Sequence, residues 1–271
     1  MTQKIRNLDL AEIAILLDWA AAEGWNPGIN DAVAFQSADP TGFFGTFIDG
    51  TMVAGIAALA YDELFGFIGL YICHPDWRGK GHGKAVWDEA MAYLGGDRTI
   101  GLDGVPEQQA NYAAMGFVPA YDTIRMSGTL PARPAGASTI SEACFEDIQE
   151  LDRGCFPSER EPFLRHWLAA PNQSYVCCSE GKPEAYAVRR PCREGAKIGP
   201  LFASSIGDAS AIMALQSGLV HIDVPTTQPE WLAALSSLGL RPGFKTTRMY
   251  RGTPPSLNMS RIFGVSSLEL G

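Results

Sequence analysis

His74-Pro-Asp-Trp-Arg-Gly-Lys-Gly-His-Gly-Lys-Ala-Val-Trp87 (HPDWRGKGHGKAVW) packs three glycines, Gly79, Gly81 and Gly83, into five positions. Each glycine gives up extra backbone entropy on folding, so this density needs a reason. The stretch follows the apolar run 65–72 (FGFIGLYI), which reads as a central strand, and it precedes Val86, Trp87, Ala90, Met91 and Leu94 at helical spacing. A strand, a glycine loop and a helix start make an anion site. The first helical N–H groups lack partners inside the helix and lie at its positive end, and glycines let them approach a phosphate closely. Arg78, Lys80, His82 and Lys84 surround the loop.

The glycine spacing excludes two other phosphate loops. A Walker loop requires GxxxxGK followed by Ser or Thr, but Ala85 follows Lys84 and Arg78 stands where the first glycine belongs. A Rossmann fingerprint requires GxGxxG, and Lys84 or Val86 takes the final glycine's place, depending on register.

Around the loop the first half reads as an α/β unit. Leu10, Ile13, Leu16, Leu17 and Ala20 predict a helix over 9–23. FFGTFID and MVAGIAALAY flank a turn at Gly50 and predict a hairpin. TIGLDG (99–104) reads as a strand, 107–114 as a helix and 121–128 as a closing strand. TLPARPAGAST (129–139) carries no periodicity and suits a linker. The halves on either side echo each other. Gly116-Phe-Val-Pro119, Arg125-Met126 and Gly128 recur as Gly239-Leu-Arg-Pro242, Arg248-Met249 and Gly252; Asp103-Gly-Val-Pro106 faces Asp223-Val-Pro225, and Ile68-Gly69 recurs as Ile198-Gly199. The shared order implies duplication of one unit.

Arg78-x-x-Gly81-x-Gly83, with Tyr112-x-x-x-Gly116-Phe117 after the next strand, resembles the GNAT superfamily of acyl-CoA-dependent N-acyltransferases. EGWNPG (23–28), LDGVPEQQANY (102–112) and the ending SSLELG resemble a two-domain subgroup of it. The resemblance implies an α/β (α+β) fold of tandem domains, each a mixed, mostly antiparallel sheet flanked by helices. Expected boundaries are 1–131 for the domain with the coenzyme A site, 132–139 for the linker and 140–271 for a degenerate second domain that shapes the acceptor site. It also implies acetyl-CoA as co-substrate, with its pyrophosphate on the amides of the loop 78–84 and its pantetheine between two parted strands beside Tyr71, Ile72 and Cys73. A backbone N–H near Ile72 or Cys73 is then placed to support a developing oxyanion, and Tyr112 to protonate the leaving thiolate. The chain departs from the family at Val105, where many relatives carry asparagine; Gln109 or Asn111 are candidate replacements.

The expected activity is direct acetyl transfer to a primary amine of a small molecule. A protein or peptide acceptor and a non-catalytic acyl-CoA-binding regulator are the alternatives. Candidate bases are Glu23, Asp62, Glu63, Asp103 and Glu107, each read first as a solvated or capping carboxylate, and an amine of low pKa needs no base; Glu23, Trp25, Asn26 and Asp103 are candidate acceptor contacts. Arg160, Arg165 and His166 read first as surface charges, with a substrate carboxylate as their alternative partner, and Cys73 reads as a small strand-end residue rather than a nucleophile. The second half is expected to bind no coenzyme A, because IGDASAIMALQ (206–216) lacks glycines in series and Leu235 stands at the tyrosine position.

The formal charge of −9 gives no basic face for nucleic acid. No apolar run reaches the ~18 residues of a membrane span, and the first residues lack a signal-peptide core, which predicts a cytoplasmic protein. Six cysteines without CxxC spacing and four scattered histidines predict no metal. A monomer or homodimer is expected.

Overall fold

The computed structural model describes residues 2–131, 145–179 and 181–271; the expected linker 132–139 and Cys144 lie outside them. The first half runs β1 (Gln3–Asn7), α1 (Leu10–Ala22), α2 (Asp31–Ala38), β2 (Phe43–Ile48), β3 (Thr51–Ala60), β4 (Phe65–Cys73), α3 (His82–Leu94), β5 (Thr99–Gly104), α4 (Gln109–Ala114) and β6 (Val118–Leu130). The second runs α5 (Phe145–Arg153), α6 (Glu161–Trp167), β7 (Gln173–Ser179), β8 (Lys182–Pro191), β9 (Ala196–Ala203), α7 (Ile206–Met213), β10 (Gly218–Pro225), α8 (Pro229–Ser237), β11 (Arg241–Arg251) and β12 (Ile262–Gly264). Local signals set many of these elements. Asp9 and Glu12 form a capping box for α1, and Ile13, Leu16, Leu17 and Ala20 form its buried stripe. The short β1, α2, α6 and β12 add to the elements expected from periodicity.

The sheets are mixed and mostly antiparallel, as the fold class requires, but they are joined rather than separate. One path runs β1-β2-β3-β4-β5-β11-β6-β10-β9-β8-β7, with β12 paired to β9. The closing strands have changed places: β11 of the second half pairs with β5, and β6 of the first pairs with β10. Their side chains follow. Met249 packs in the core of the first half with Trp87 and Tyr112, and Met126 packs in that of the second with Trp231.

The Asp and Arg of the sequence echo pair crosswise as a result. Arg248 Nε and Nη2 donate to Asp103 Oδ1 and Oδ2 at 2.9 and 2.8 Å, and Arg125 Nε and Nη2 donate to Asp223 Oδ1 and Oδ2 at 2.7 and 2.9 Å. Both pairs are buried. Burial of a single such charge would be costly, and the bidentate geometry compensates each one.

The sheet lies between two helical layers. On one face α1, α2, α5 and α6 share a core that spans both halves, where Phe35 stacks on Trp167 at 5.9 Å. On the other face α3 and α4 cover the first half, and α7 and α8 cover the second. Among the described residues no helix is long and apolar enough to cross a membrane, and no cluster of His, Cys, Asp or Glu has the makings of a metal site.

Candidate active site

The glycine loop leaves a bare helix end. Gly79 and Gly81 adopt φ of +74° and +87°, a left-handed conformation that costs other residues about 1–2 kcal/mol. At both, a Cβ would point into open space. Gly81 caps α3 with no side chain. Among the described residues, the amides of 79–82 donate to no backbone carbonyl. At Gly83 the reason differs: a Cβ would sit 3.1 Å from the Tyr71 hydroxyl, so the small residue lets that ring lie against the helix start.

The cations divide. Lys80 Nζ donates to the Asp76 carbonyl at 2.8 Å beside the Trp77 ring, and Lys84 Nζ pairs with Asp88 at 2.5 Å. The His82 ring meets Gln3 Oε1 at 3.1 Å. Arg78 turns back over the adjoining cleft, where its Nε donates to the Cys73 carbonyl at 3.0 Å and its Nη2 pairs with Glu23.

That cleft opens where β4 leaves β5. Their parallel pairing runs from Phe65↔Thr99 to Ile68↔Leu102 and stops there. Along β3, Gly55 faces Ile72 while Ala57 faces Gly69, so Leu70 and Tyr71 bulge opposite one residue. Leu70 takes a left-handed φ of +48° at the bulge. A bulge of this kind bends a strand and re-aims its side chains. Beyond it, His74 N–H donates to the Val53 carbonyl at 2.9 Å. By strand alternation the Cys73 N–H then points the other way, into the gap.

The gap contains an outer cleft of about 530 Å³, lined by Glu23, Cys73, Arg78, Glu107 and Tyr112 among others. A recess of about 40 Å³ continues inward past Tyr71, Asp103 and Tyr112 to Thr246 and Glu269. Trp25, Val105 and Phe244 line both spaces. The open loop and the unpaired strand edge fit an extended acyl-CoA, with phosphates on the amides and pantetheine along β4.

Tyr112 stacks on Trp87 at 5.7 Å with its ring between the two spaces. Burial raises its hydroxyl pKa and keeps it protonated. The Cys73 thiol is also raised, by burial against the smaller opposing effects of Arg78 and the Gly83 N–H. Asp103 lies at the cleft but both carboxylate oxygens are held by Arg248.

Other candidates lie elsewhere, and the places of Asn26 and Arg160 are corrections to the expectations above. Asn26 turns away from the cleft to clasp the backbone of Glu194, donating from Nδ2 at 2.9 Å and accepting at 3.2 Å. Asp62 accepts from the Leu64 and Phe65 amides at 2.7 Å, as a turn residue does, and Glu63 is exposed beside it. Gln109 donates to Thr247 Oγ1 at 2.9 Å, across the junction of the halves, and Asn111 donates to Gln108 at 2.8 Å on the surface. Arg160 is buried on Asp152 and Ser266, Arg165 pairs with Glu161, and His166 is exposed.

Sequence reasoning missed Phe244, Thr246, Leu268 and Glu269, which the second half brings to the recess. The available signal was the lone charge of Glu269 in the apolar tail SSLELG.

The corresponding region of the second half is filled. The parallel pairing of β9 and β10 covers Ala196–Ile198 and Val220–Ile222. Beyond it, β12 enters the gap: Ile262 pairs with Phe202, and Val265 N–H donates to the Asp223 carbonyl at 2.9 Å. A Cβ on Gly199 would meet the Val265 and Ser266 carbonyls at 2.6 Å. The helix end is filled as well, since Ser205 caps α7 and accepts from the Asp208 amide at 3.2 Å, with the Asp208 carboxylate beside it. Leu235, at the tyrosine position, is fully buried in the core.

Comparisons with known proteins agree with this geometry. Residues 10–117 match the acetyltransferase (GNAT) family, and residues 148–264 match an acetyltransferase (GNAT) domain. Holothin acyltransferase of Pseudoalteromonas sp. (strain SANK 73390) is 30% identical over 273 residues, covering 97% of this chain and 92% of that protein. A putative acetyltransferase from Pyrococcus horikoshii superposes with a TM-score of 0.80 at 18% identity, covering 99% of this chain and 96% of the other. A tandem GNAT protein from the clavulanic acid biosynthesis pathway gives 0.64 at 17% identity, covering 94% and 100%. At such identities these two structures speak for the fold alone.

Proposed function

The chain belongs to the GNAT family of acyltransferases, and from that premise we propose that it transfers acetyl from acetyl-CoA directly to a primary amine of a small molecule. The observation that carries this is the open cleft where β4 leaves β5, with a bare glycine-lined helix end at one side and a protonated Tyr112 at the other. The volume of the outer cleft, about 530 Å³, is that of a small-molecule site.

A thioester supplies an acyl carbon activated toward an amine. The chain's residues do the rest. Amides of 79–82 hold phosphate oxygens at the positive end of α3. The Cys73 N–H faces the place where negative charge develops on the carbonyl oxygen, and loss of such a donor costs about 3 kcal/mol of barrier. The amine nitrogen forms its bond to the acyl carbon as the carbon–sulfur bond breaks; Tyr112 donates its proton to the departing sulfur and is reprotonated by the proton that the new amide nitrogen releases. The raised thiol pKa of Cys73 leaves little thiolate near neutral pH, in keeping with direct transfer rather than an acyl-cysteine. Asp103, held by Arg248, stabilises the junction of the halves instead of taking the proton.

Thiol release from acetyl-CoA with a panel of small primary amines and peptides tests this. Turnover with a small amine is expected. Binding of acetyl-CoA without thiol release from any of them, or turnover with peptides alone, would contradict it.

A further inference from the structure

One wall of the cleft is held from the other half of the chain. Residues 23–30 join α1 to α2, and Glu23 and Trp25 of this loop line the outer cleft. Its own half ties it at the start, where Trp25 N–H donates to the Ala20 carbonyl at 3.0 Å and Glu23 pairs with Arg78. Beyond that the ties run to the second half. The Trp25 carbonyl accepts from Lys197 Nζ of β9 at 2.9 Å and from Arg125 Nη1 of β6 at 2.8 Å, and both cations are buried. Asn26 takes a left-handed φ of +51°. Its side chain bonds both backbone groups of Glu194, with Nδ2 donating to the carbonyl at 2.9 Å and Oδ1 accepting from the amide at 3.2 Å. Gly28 pairs with Cys192, and Ile29 N–H donates to the Pro191 carbonyl at 2.9 Å. Asp31 accepts from the Gly28 amide at 2.8 Å and pairs, fully buried, with Arg190. Apart from Arg125, every second-half partner here belongs to the β8–β9 hairpin.

A carbonyl shared by two buried cations is firmly restrained, because hydrogen bonds from charged donors are the strong ones. The cations are themselves fixed: Arg125 is bidentate on Asp223, and Lys197 Nζ has Glu269 at 3.5 Å and Asp223 at 4.0 Å. The far end of the Asn26 clasp is fixed as well. The Glu194 carbonyl also meets His221 Nε2 at 3.0 Å, and a Cβ on Gly195 would lie 2.4 Å from the Leu219 carbonyl, so the turn sits tightly on β10. Asn26, Arg125, Glu194 and Lys197 do not themselves line the cleft or the recess; Trp25 lines both, and Gly79, Gly81 and Gly83 line neither. We propose that the β8–β9 hairpin of the second half is the positioning element for the acceptor side of the cleft, and that Asn26 is the positioning residue that locks the loop 23–28 to it. The acceptor then meets a wall whose shape is set before it binds. A loop left free would sample other positions, and the acceptor's apparent affinity would fall with the fraction of chains whose wall is in place. The kinetic consequence rests on acyl transfer in this cleft; the clasp itself does not.

The test is steady-state kinetics on the full chain with ethanolamine, hexylamine and benzylamine as acceptors. Asn26→Gly keeps the left-handed backbone without strain and removes both bonds of the clasp. Asn26→Asp keeps the accepting oxygen and loses the donor. The expected result is an acceptor KM raised about tenfold in Asn26→Gly, and less in Asn26→Asp, while kcat and the calorimetric affinity for acetyl-CoA stay those of the wild type. A merely structural role would lower stability without that split. An unchanged acceptor KM, or acetyl-CoA affinity lost in step with it, overturns the proposal and leaves acyl transfer standing. The clasp is also read without turnover, by fluorine NMR of the chain labelled with fluorotryptophan, the Trp25 signal being assigned by Trp25→Phe. Asn26→Gly is expected to shift or broaden that signal, and Asn26→Asp to move it less. A Trp25 signal unmoved in Asn26→Gly overturns the proposal whatever the kinetics. No thiol release from the wild type with any amine overturns the proposed function, and the fluorine spectrum alone then decides the clasp.

Discussion

The two halves share one plan and use it differently. Each has a strand that parts from a parallel neighbour, followed by a helix whose N-terminus faces the gap. In the first half the gap is a cleft edged by Tyr71, Cys73 and Tyr112, and the helix starts on glycines. In the second the gap contains β12, and Ser205 and Asp208 occupy the helix start. A backbone segment does there what an extended pantetheine would do in the first half. The lesson is that the same gap can be left open in one half and filled by the chain itself in the other. The filled half then contributes Thr246 and Glu269 to the recess of its neighbour.

Sharing of closing strands is the strongest feature to break. Arg248→Ala would leave Asp103 buried and alone, and Arg125→Ala would do the same to Asp223. Each is expected to cost about 3–5 kcal/mol in guanidinium unfolding, within one cooperative transition. Separate transitions for the halves would show that the exchange does not unite them. Next in size is Tyr112→Phe, expected to lower turnover about a hundredfold while acetyl-CoA affinity holds. The matching Leu235→Met, which nearly conserves volume, is expected to leave turnover alone. Equal effects from the two would erase the distinction between the halves.

A smaller effect concerns the two helix starts. Gly81→Ala forces a side chain into a left-handed backbone and is expected to weaken acetyl-CoA binding about tenfold. Asp208→Asn at the other helix start should leave that binding unchanged. The smallest is a pH effect confined to the second half. His221 stands where the first half has Gly101, with its Nδ1 2.8 Å from Ser127 Oγ and its Nε2 3.0 Å from the Glu194 carbonyl. Burial lowers its pKa below the ordinary 6.5. The unfolded chain therefore binds the proton more readily, and stability should fall as pH drops below about 6.5 toward the folded value. His221→Gln should flatten that slope, as read by chemical unfolding at several pH values; an unchanged slope would assign it to other groups.

Much of this was legible in the sequence. The glycine loop, the helix after it and the echo of Asp, Gly, Arg and Met across the halves are local patterns, and periodicity carries them. The exchange of β6 and β11 was not, because alternation along a strand tells which face is buried but not which strand lies beside it. The echo did record the Asp and Arg; only the structure shows that they pair across the halves. β12 spans three residues, too few to show a period. Gly69 and Gly199 were noted as a repeat, yet the cause is the tail: a Cβ on Gly69 would run into the Glu269 carbonyl, and one on Gly199 into those of Val265 and Ser266. Asn26 looked like a pocket residue from its place in a Trp-Asn loop, and its partner Glu194 lies 168 positions away.

The central claim is that one cleft is open and its counterpart is closed by the chain itself. Calorimetric titration of the full chain with acetyl-CoA tests it most directly. One molecule bound per chain, with binding weakened by Gly81→Ala, is the predicted result. Two molecules per chain would mean that β12 does not close the second cleft, and would contradict the account.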